Sequence, residues 1–187
     1  MAKKLEKIGY GQLELNQVAF RRSGRIEAQC ALDAHITKEG EEIVDKGYFV
    51  DNVAENGMLL AVDNIKRVVR PAAENEAFPI ALNYTTEHMY DNRANALKDF
   101  CLKAGEFLPR MGYLGAGDKY TTNTVAYEGF NDDETFLNAI GGEDLLYAHA
   151  GADGYHLVNT EATGAIALAI ARTTMPDGQK AVKFQAL

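Results

Sequence analysis

The chain has no tryptophan, one serine (Ser23), two cysteines and four prolines among 187 residues. Each shortage narrows what it can do. Without tryptophan a typical aromatic platform for sugars is missing, although tyrosine and phenylalanine are present. Ser23 sits in a basic turn with no histidine near it in sequence, which disfavours a serine nucleophile. Cys30 and Cys101 lie among apolar residues and outside any C-x-x-C, so they read as buried free thiols, not a disulfide framework. The longest apolar run, Ala165–Ala171, is far shorter than the roughly 20 residues a membrane helix needs. The N-terminal lysines precede no apolar leader core, so neither export nor a membrane is expected.

Positive charge is also scarce. Lys and Arg number 19 against 27 Asp and Glu, a net charge of −8, which argues against nucleic-acid binding. The cations are unevenly placed. Residues 1–25 carry Lys3, Lys4, Lys7, Arg21, Arg22 and Arg25 against Glu6 and Glu14, a balance of +4 that leaves −12 for the rest. A basic stretch on an acidic body suits docking onto an acidic partner or a neighbouring copy. Those cations are the candidate partner-binding residues.

What is abundant is short alternating segments and glycine turns. Residues 1–16 read as an extended N-terminal arm, and 17–187 as a single β-rich domain. Ile26–Leu32 alternates apolar and polar residues, and with Ser23-Gly24 before it Val18–Leu32 looks like a hairpin. Asn56-Gly57 fits a two-residue hairpin turn before a strand at Gly57–Asp63. Arg70-Pro71 and the polar residues after it read as a loop, and "FPIALNYT" as a strand. "VDKGYFV" (Val44–Val50) parallels "LKAGEFL" (Leu102–Leu108), which favours strand, glycine turn, strand over a helix at 101–108. Lys119–Tyr127 reads as one Thr-rich strand. "NDDETFLNAIGG" predicts a helix capped by Asp132 or Asp133 and stopped by Gly141-Gly142. Ala165–Thr174 and Lys180–Ala186 flank "MPDG" as a hairpin, with an Ala-rich helix at 165–172 as the competing reading. The expected class is mainly β, a barrel- or sandwich-like domain with one or two short helices.

Candidate chemistry is thin. Gly112-x4-Gly117 imitates the front of a phosphate loop, but Asp118 precedes Lys119 and a strand follows where a helix N-terminus is needed. A glycine turn at 115–117, with Asp118 bonding backbone, is the better reading. His149, Asp153 and His156 could ligate a metal, yet the spacing of the two histidines fits neither one helix face nor one strand face. His35 and His88 stand apart. The carboxylates of Glu41-Glu42, Asp132–Glu134 and Glu143-Asp144 read as solvated faces, though a pair of them could serve a glycosidase. No catalytic residue, metal or cofactor is expected.

Three stretches carry a resemblance: "ENGMLLAVD" (55–63), "PIALNYTTEHMYD" (79–91) and "LKDFCLKAGEFLPRMGYLGAGDKYTTNTV" (97–125). Over roughly residues 25–130 the chain resembles virion structural proteins of tailed bacteriophages, in particular small β-rich capsid decoration or cement proteins. The resemblance implies a non-enzymatic protein that binds the major capsid protein or another virion protein, acts as a homo-oligomer, and resides in the virion after synthesis in the host cytoplasm. A neck, tail or fibre component and a small β-barrel carbohydrate- or metal-dependent enzyme are the alternatives.

Overall fold

The computed structural model describes residues 2–7, 11–17, 26–27, 30–32, 36–38, 41–43, 53–65, 67–84, 101–103, 107–108 and 111–187. The described residues are mainly β and form two principal sheets, sandwich-like and not a closed barrel. The larger has eight strands in the spatial order β1 (Lys3–Lys4), β15 (Val125–Tyr127), β17 (His156–Asn159), β16 (Tyr147–Ala150), β18 (Ala167–Thr174), β19 (Lys180–Ala186), β14 (Lys119–Thr122), β2 (Leu13–Gln17). The smaller runs β12 (Phe107–Leu108), β4 (Cys30–Leu32), β9 (Val68–Pro71), β8 (Leu59–Asp63), β10 (Ile80–Asn83), β13 (Met111–Gly112), β3 (Ile26–Glu27). Two ribbons complete the set: β7 (Val53–Glu55) with β11 (Cys101–Lys103), and β5 (Ile36–Lys38) with β6 (Glu41–Ile43).

The two sheets repeat one arrangement. In each, the described first strand comes as two pieces, β3 and β4 or β14 and β15. In the smaller sheet β8, β9, β10 and the broken β12–β13 follow; in the larger, β16, β17, β18 and β19. In both, the fifth strand pairs with the first and the fourth, the fourth with the second, and the second with the third. The third returns to pair with the first, in parallel. The repeat lies in the pairing pattern, over 26–112 and 119–186, and not in the short likeness between Val44–Val50 and Leu102–Leu108. Of that likeness, 44–50 lies outside the described residues. Cys101–Lys103 and Phe107–Leu108 are both strands, but they join different partners.

The breaks force curvature. β14 and β15 stand five positions apart in the sheet yet are joined by Asn123 and Thr124 alone. Five strand spacings span roughly 24 Å if flat, whereas three Cα–Cα steps reach at most about 11 Å. The sheet must therefore roll up. The single strand expected over Lys119–Tyr127 is thus two, because one straight strand cannot serve both ends of a rolled sheet. Of the hairpin expected over Val18–Leu32, the described parts of its second strand are β3 and β4, which take separate places in the smaller sheet, while Leu13–Gln17 joins the larger one. Residues 18–25, which hold most of its first strand and the Ser23-Gly24 turn, lie outside the described residues.

Other local expectations shift for identifiable reasons. Asn56-Gly57 does turn the chain, with Met58 N–H donating to Glu55 O (3.2 Å), but only Gly57 has a positive φ (86°) and β7 pairs with β11, not β8. The turn hands the chain from a ribbon to a sheet instead of closing a hairpin. Arg70 and Pro71 end strand β9 instead of opening a loop, paired with Ala61 and Leu60 of β8. The C-terminal hairpin forms as expected, with Gly178 at φ 89° in its turn, and the helix considered at 165–172 does not. Ile170 is the extra residue of a bulge between Ala169 and Ala171. The helix α1 (Asp133–Ala139) is capped by Asp132, whose carboxylate accepts the Thr135 N–H at 2.7 Å, and Phe136 and Leu137 face the core.

Core and strap follow from these pairings. The main cluster unites Tyr120, Phe184 and Val158 of the larger sheet, Phe136 of α1, and Leu59 and Leu82 of the smaller. Leu60 and Val62, on the opposite face of β8, join a second cluster with Val69 and Met111. The arm expected over 1–16 is built in. β1 pairs with β15 at one edge of the larger sheet, β2 with β14 at the other, and Leu5 is 2% exposed in the core. The boundary drawn at 16/17 falls inside β2. An alternating apolar residue beside a sheet edge is better buried and paired than left in water. Leu5→Ala should therefore lower the unfolding free energy by about 2–5 kcal/mol, measured by urea denaturation, whereas Lys4→Ala should change it by less than about 1 kcal/mol. Equal, small effects would mean a detached arm.

Candidate functional site

The residues with most chemical potential meet where the larger sheet changes ends. Thr121, Thr122, Asn123 and Thr124 are at most 2% exposed, an unusual setting for four consecutive polar side chains. Thr121 donates to Asn16 Oδ1 at 2.8 Å, and the other three bond to neighbouring segments or to one another. Thr122 donates its hydroxyl to Gln12 O (2.7 Å) and lies 2.8 Å from the Thr124 hydroxyl. Asn123 accepts the Gln12 N–H at 2.7 Å and donates to Gln179 Oε1 at 3.3 Å. Asp177 holds both Gln12 and Gln179 by their amides, each at 2.6 Å. From the other side, Asn83 donates to Glu55 O at 2.9 Å, while its Oδ1 has no donor among the described residues. This seam ties the strap, the Asn56-Gly57 turn, the break in the first strand and the C-terminal hairpin turn to one point.

Two glycines permit the approach. A Cβ on Gly57 would stand 2.1 Å from Thr122 Oγ1, and one on Gly11 2.5 Å from Thr124 Cγ2. Gly117 has the same left-handed φ as Gly57 but open space around it. Gly117→Ala should therefore cost about 1 kcal/mol from backbone strain. Gly57→Ala should cost about 3 kcal/mol or more, since it adds a clash with a buried network. Thermal or urea denaturation of the pair separates the two terms; equal losses would show that the seam does not resist the added methyl.

Beside the seam lies a buried aromatic trio. His156 and Phe184 stack at 5.0 Å and 17°, and Tyr120 lies 5.5 Å from His156. His156 Nδ1 is 3.2 Å from Thr124 O, which can only accept, so Nδ1 carries the proton. Bare Nε2 then accepts the Tyr120 O–H at 3.0 Å. Burial pushes the Tyr120 phenol up from its ordinary value and the His156 imidazole down to about 4. His156 and Tyr120 are both 0% exposed, so this pair orders the core and offers no substrate a path.

The ligand set His149, Asp153, His156 is not assembled, and the sheet register shows why. His149 stands opposite Leu157, and His156 opposite Ala150, so the two histidines point to opposite faces. His149 Nε2 lies 2.8 Å from Glu161 O, and Asp153 pairs with Lys4 at 3.1 Å. Among the described residues no three His, Cys, Asp or Glu side chains come together as metal ligands. His35, His88 and Ser23 lie outside the described residues.

The other candidates find local structural partners. The Gly115–Asp118 segment is a turn: Asp118 N–H donates to Gly115 O (3.0 Å) and Gly115 N–H to Asp118 Oδ2 (2.9 Å). Asp133 accepts the Tyr127 hydroxyl at 2.7 Å and the Glu6 N–H at 2.9 Å, and burial together with this carboxylate raises the Tyr127 phenol. Of the expected partner-binding cations, Lys3 donates to Asn131 O at 2.5 Å, Lys7 pairs with Glu55, and Lys4 lies 4.2 Å from the Tyr155 ring centre. Arg21, Arg22 and Arg25 lie outside the described residues. No helix among the described residues is long and apolar enough to cross a membrane.

One surface feature was not visible in the sequence. Glu128, Phe130, Ala139, Asp144 and Leu146 line a groove of about 440 Å³. Glu143-Asp144 stands out in the sequence as a charged pair, but nothing there links Asp144 to Glu128, because the helix α1 separates them. The seam did leave a signal: a run of threonine and asparagine inside a strand is polar on both faces, so it needs buried partners. No family model, curated protein or solved structure matches the chain.

The histidine yields a pH dependence with a definite sign. His156 titrates near 6.5 when unfolded and near 4 when folded, so the unfolded chain takes up the proton first. Its contribution is complete above pH 6.5 and declines as pH falls towards 4, by on the order of 3 kcal/mol. Urea midpoints measured across that window should fall for the wild type and fall less for His156→Gln. Parallel slopes would assign the acid sensitivity to other groups.

Proposed function

We propose that this chain is a non-enzymatic virion structural protein of a tailed bacteriophage that binds the capsid and reinforces it. The reading rests on the resemblance carried by 55–63, 79–91 and 97–125. One structural observation agrees with it. The described parts of those stretches include Glu55, Gly57, Asn83 and Thr122–Thr124, the residues that lock the two sheets and the strap together. They thus bear on rigidity, which is what a protein that braces a shell needs. The sandwich-like β architecture and the closed packing around His156 support the same role, since both resist deformation more than they admit ligands.

The strap also bears on how such a protein would present itself. With β1 and β2 laid along the edges of the larger sheet, its broken first strand is paired on both sides. The edges of the larger sheet are then β1 and β2 themselves. Added to capsids of the phage that encodes it, prepared without it, the purified chain should co-sediment saturably and raise the temperature at which the shells open. A chain that stays in the supernatant at saturating concentration, with the shells unchanged, would remove this reading.

A further inference from the structure

The turn between β8 and β9 ends in a hydrophobic knob. Ile65 is 93% exposed, and its N–H is held by Asp63 Oδ1 at 2.9 Å, which fixes the turn. Arg67 is exposed beside it, with no ion-pair partner among the described residues. Phe78, 40% exposed, lies next to this end of β8, because Val62 N–H donates to Pro79 O. Nearby Arg70 is engaged: Glu76 holds it at 2.8 Å. Among the described residues the tip therefore offers an apolar side chain and one cation; Lys66, between them, lies outside the described residues.

The groove beside α1 has the complementary character. Phe130, Ala139 and Leu146 supply apolar lining, and Glu128 and Asp144 supply carboxylates without ion-pair partners among the described residues. Its volume of about 440 Å³ is ample for an isoleucine side chain and the stem of an arginine. Copies of a chain with net charge −8 repel one another at long range, so a contact between them needs a local match of opposite charge. We propose that Ile65 and Arg67 of one copy dock in the Glu128/Asp144 groove of a second copy. Tip and groove are different surfaces, so the contact is head-to-tail and builds rings or open chains, not two-fold dimers. A knob in a groove is a small interface, and the association is accordingly weak and concentration-dependent.

This contact does not depend on capsid binding, and sedimentation of the chain alone tests it. The wild type should show species larger than a dimer as concentration rises. Ile65→Ser with Arg67→Asn removes the knob and the cation, and asparagine tolerates the left-handed φ of 57° at that position. Asp144→Arg opposes the cation in the groove. Each variant alone should associate at least about tenfold more weakly. Mixed in equal amounts, they should form a dimer and nothing larger, since one intact tip then meets one intact groove. A wild type that is monomeric at every concentration, a variant that associates as the wild type does, or a mixture that gives no dimer would each overturn the proposal. Circular dichroism of both variants establishes that they are folded.

Discussion

The structure depends on a strand that must be in two places. Two residues, Asn123 and Thr124, join positions five strands apart in the larger sheet, and this short tether fixes how tightly the sheet rolls. Rolling brings together groups that a flat sheet would hold far apart: the strap at Gln12, the turn at Gly57 and the hairpin turn at Asp177. Their backbone and side-chain groups leave water together, so each needs a partner, and the threonine and asparagine side chains of the break provide them. Glycine at 11 and 57 follows from the same closeness.

Tight curvature also decides which side chains go inside. Along β18 the larger Leu168 and Ile170 are only half-buried, while Ala167 and Ala169 reach the core. Alternation alone suggests the reverse, since larger apolar groups gain more from burial. The interior of the rolled sheet is already filled by Tyr120, Phe184 and His156, which leaves methyl-sized room on the facing strands. A histidine in such a place must remain neutral, because no ionised group contacts it among the described residues and a buried charge would be uncompensated. The same repulsion from apolar surroundings that orders the core makes it sensitive to acid.

Much of the local structure was legible because its causes are local. The cap at Asp132, the turn at 115–118, the helix stop at Gly141 and the C-terminal hairpin each depend on a few consecutive residues. The break in Lys119–Tyr127 was not legible, since the threonines there favour strand throughout and only the demands of two sheet ends interrupt it. Nor was the strap: Leu5 and Leu13 look like isolated apolar residues in a charged segment until the edges they cover exist. The candidate metal ligands failed on register, which places His149 and His156 on opposite faces and is set by pairing with a different strand.

The sequence by itself determined that the chain is β-rich, where the turns at 115–118 and 175–178 and the helix α1 lie, and which polar runs require partners. Those properties come from side-chain alternation, positive-φ glycines and capping groups acting over a handful of residues. Only the tertiary structure decided that two sheets repeat one pairing order, that Lys3 and Lys4 are laced into a sheet, that alanines face the core, and that Glu128 and Asp144 line one groove. These are consequences of which strands become neighbours across long separations, and such pairing is settled by the collective fit of a curled sheet and not by any segment on its own.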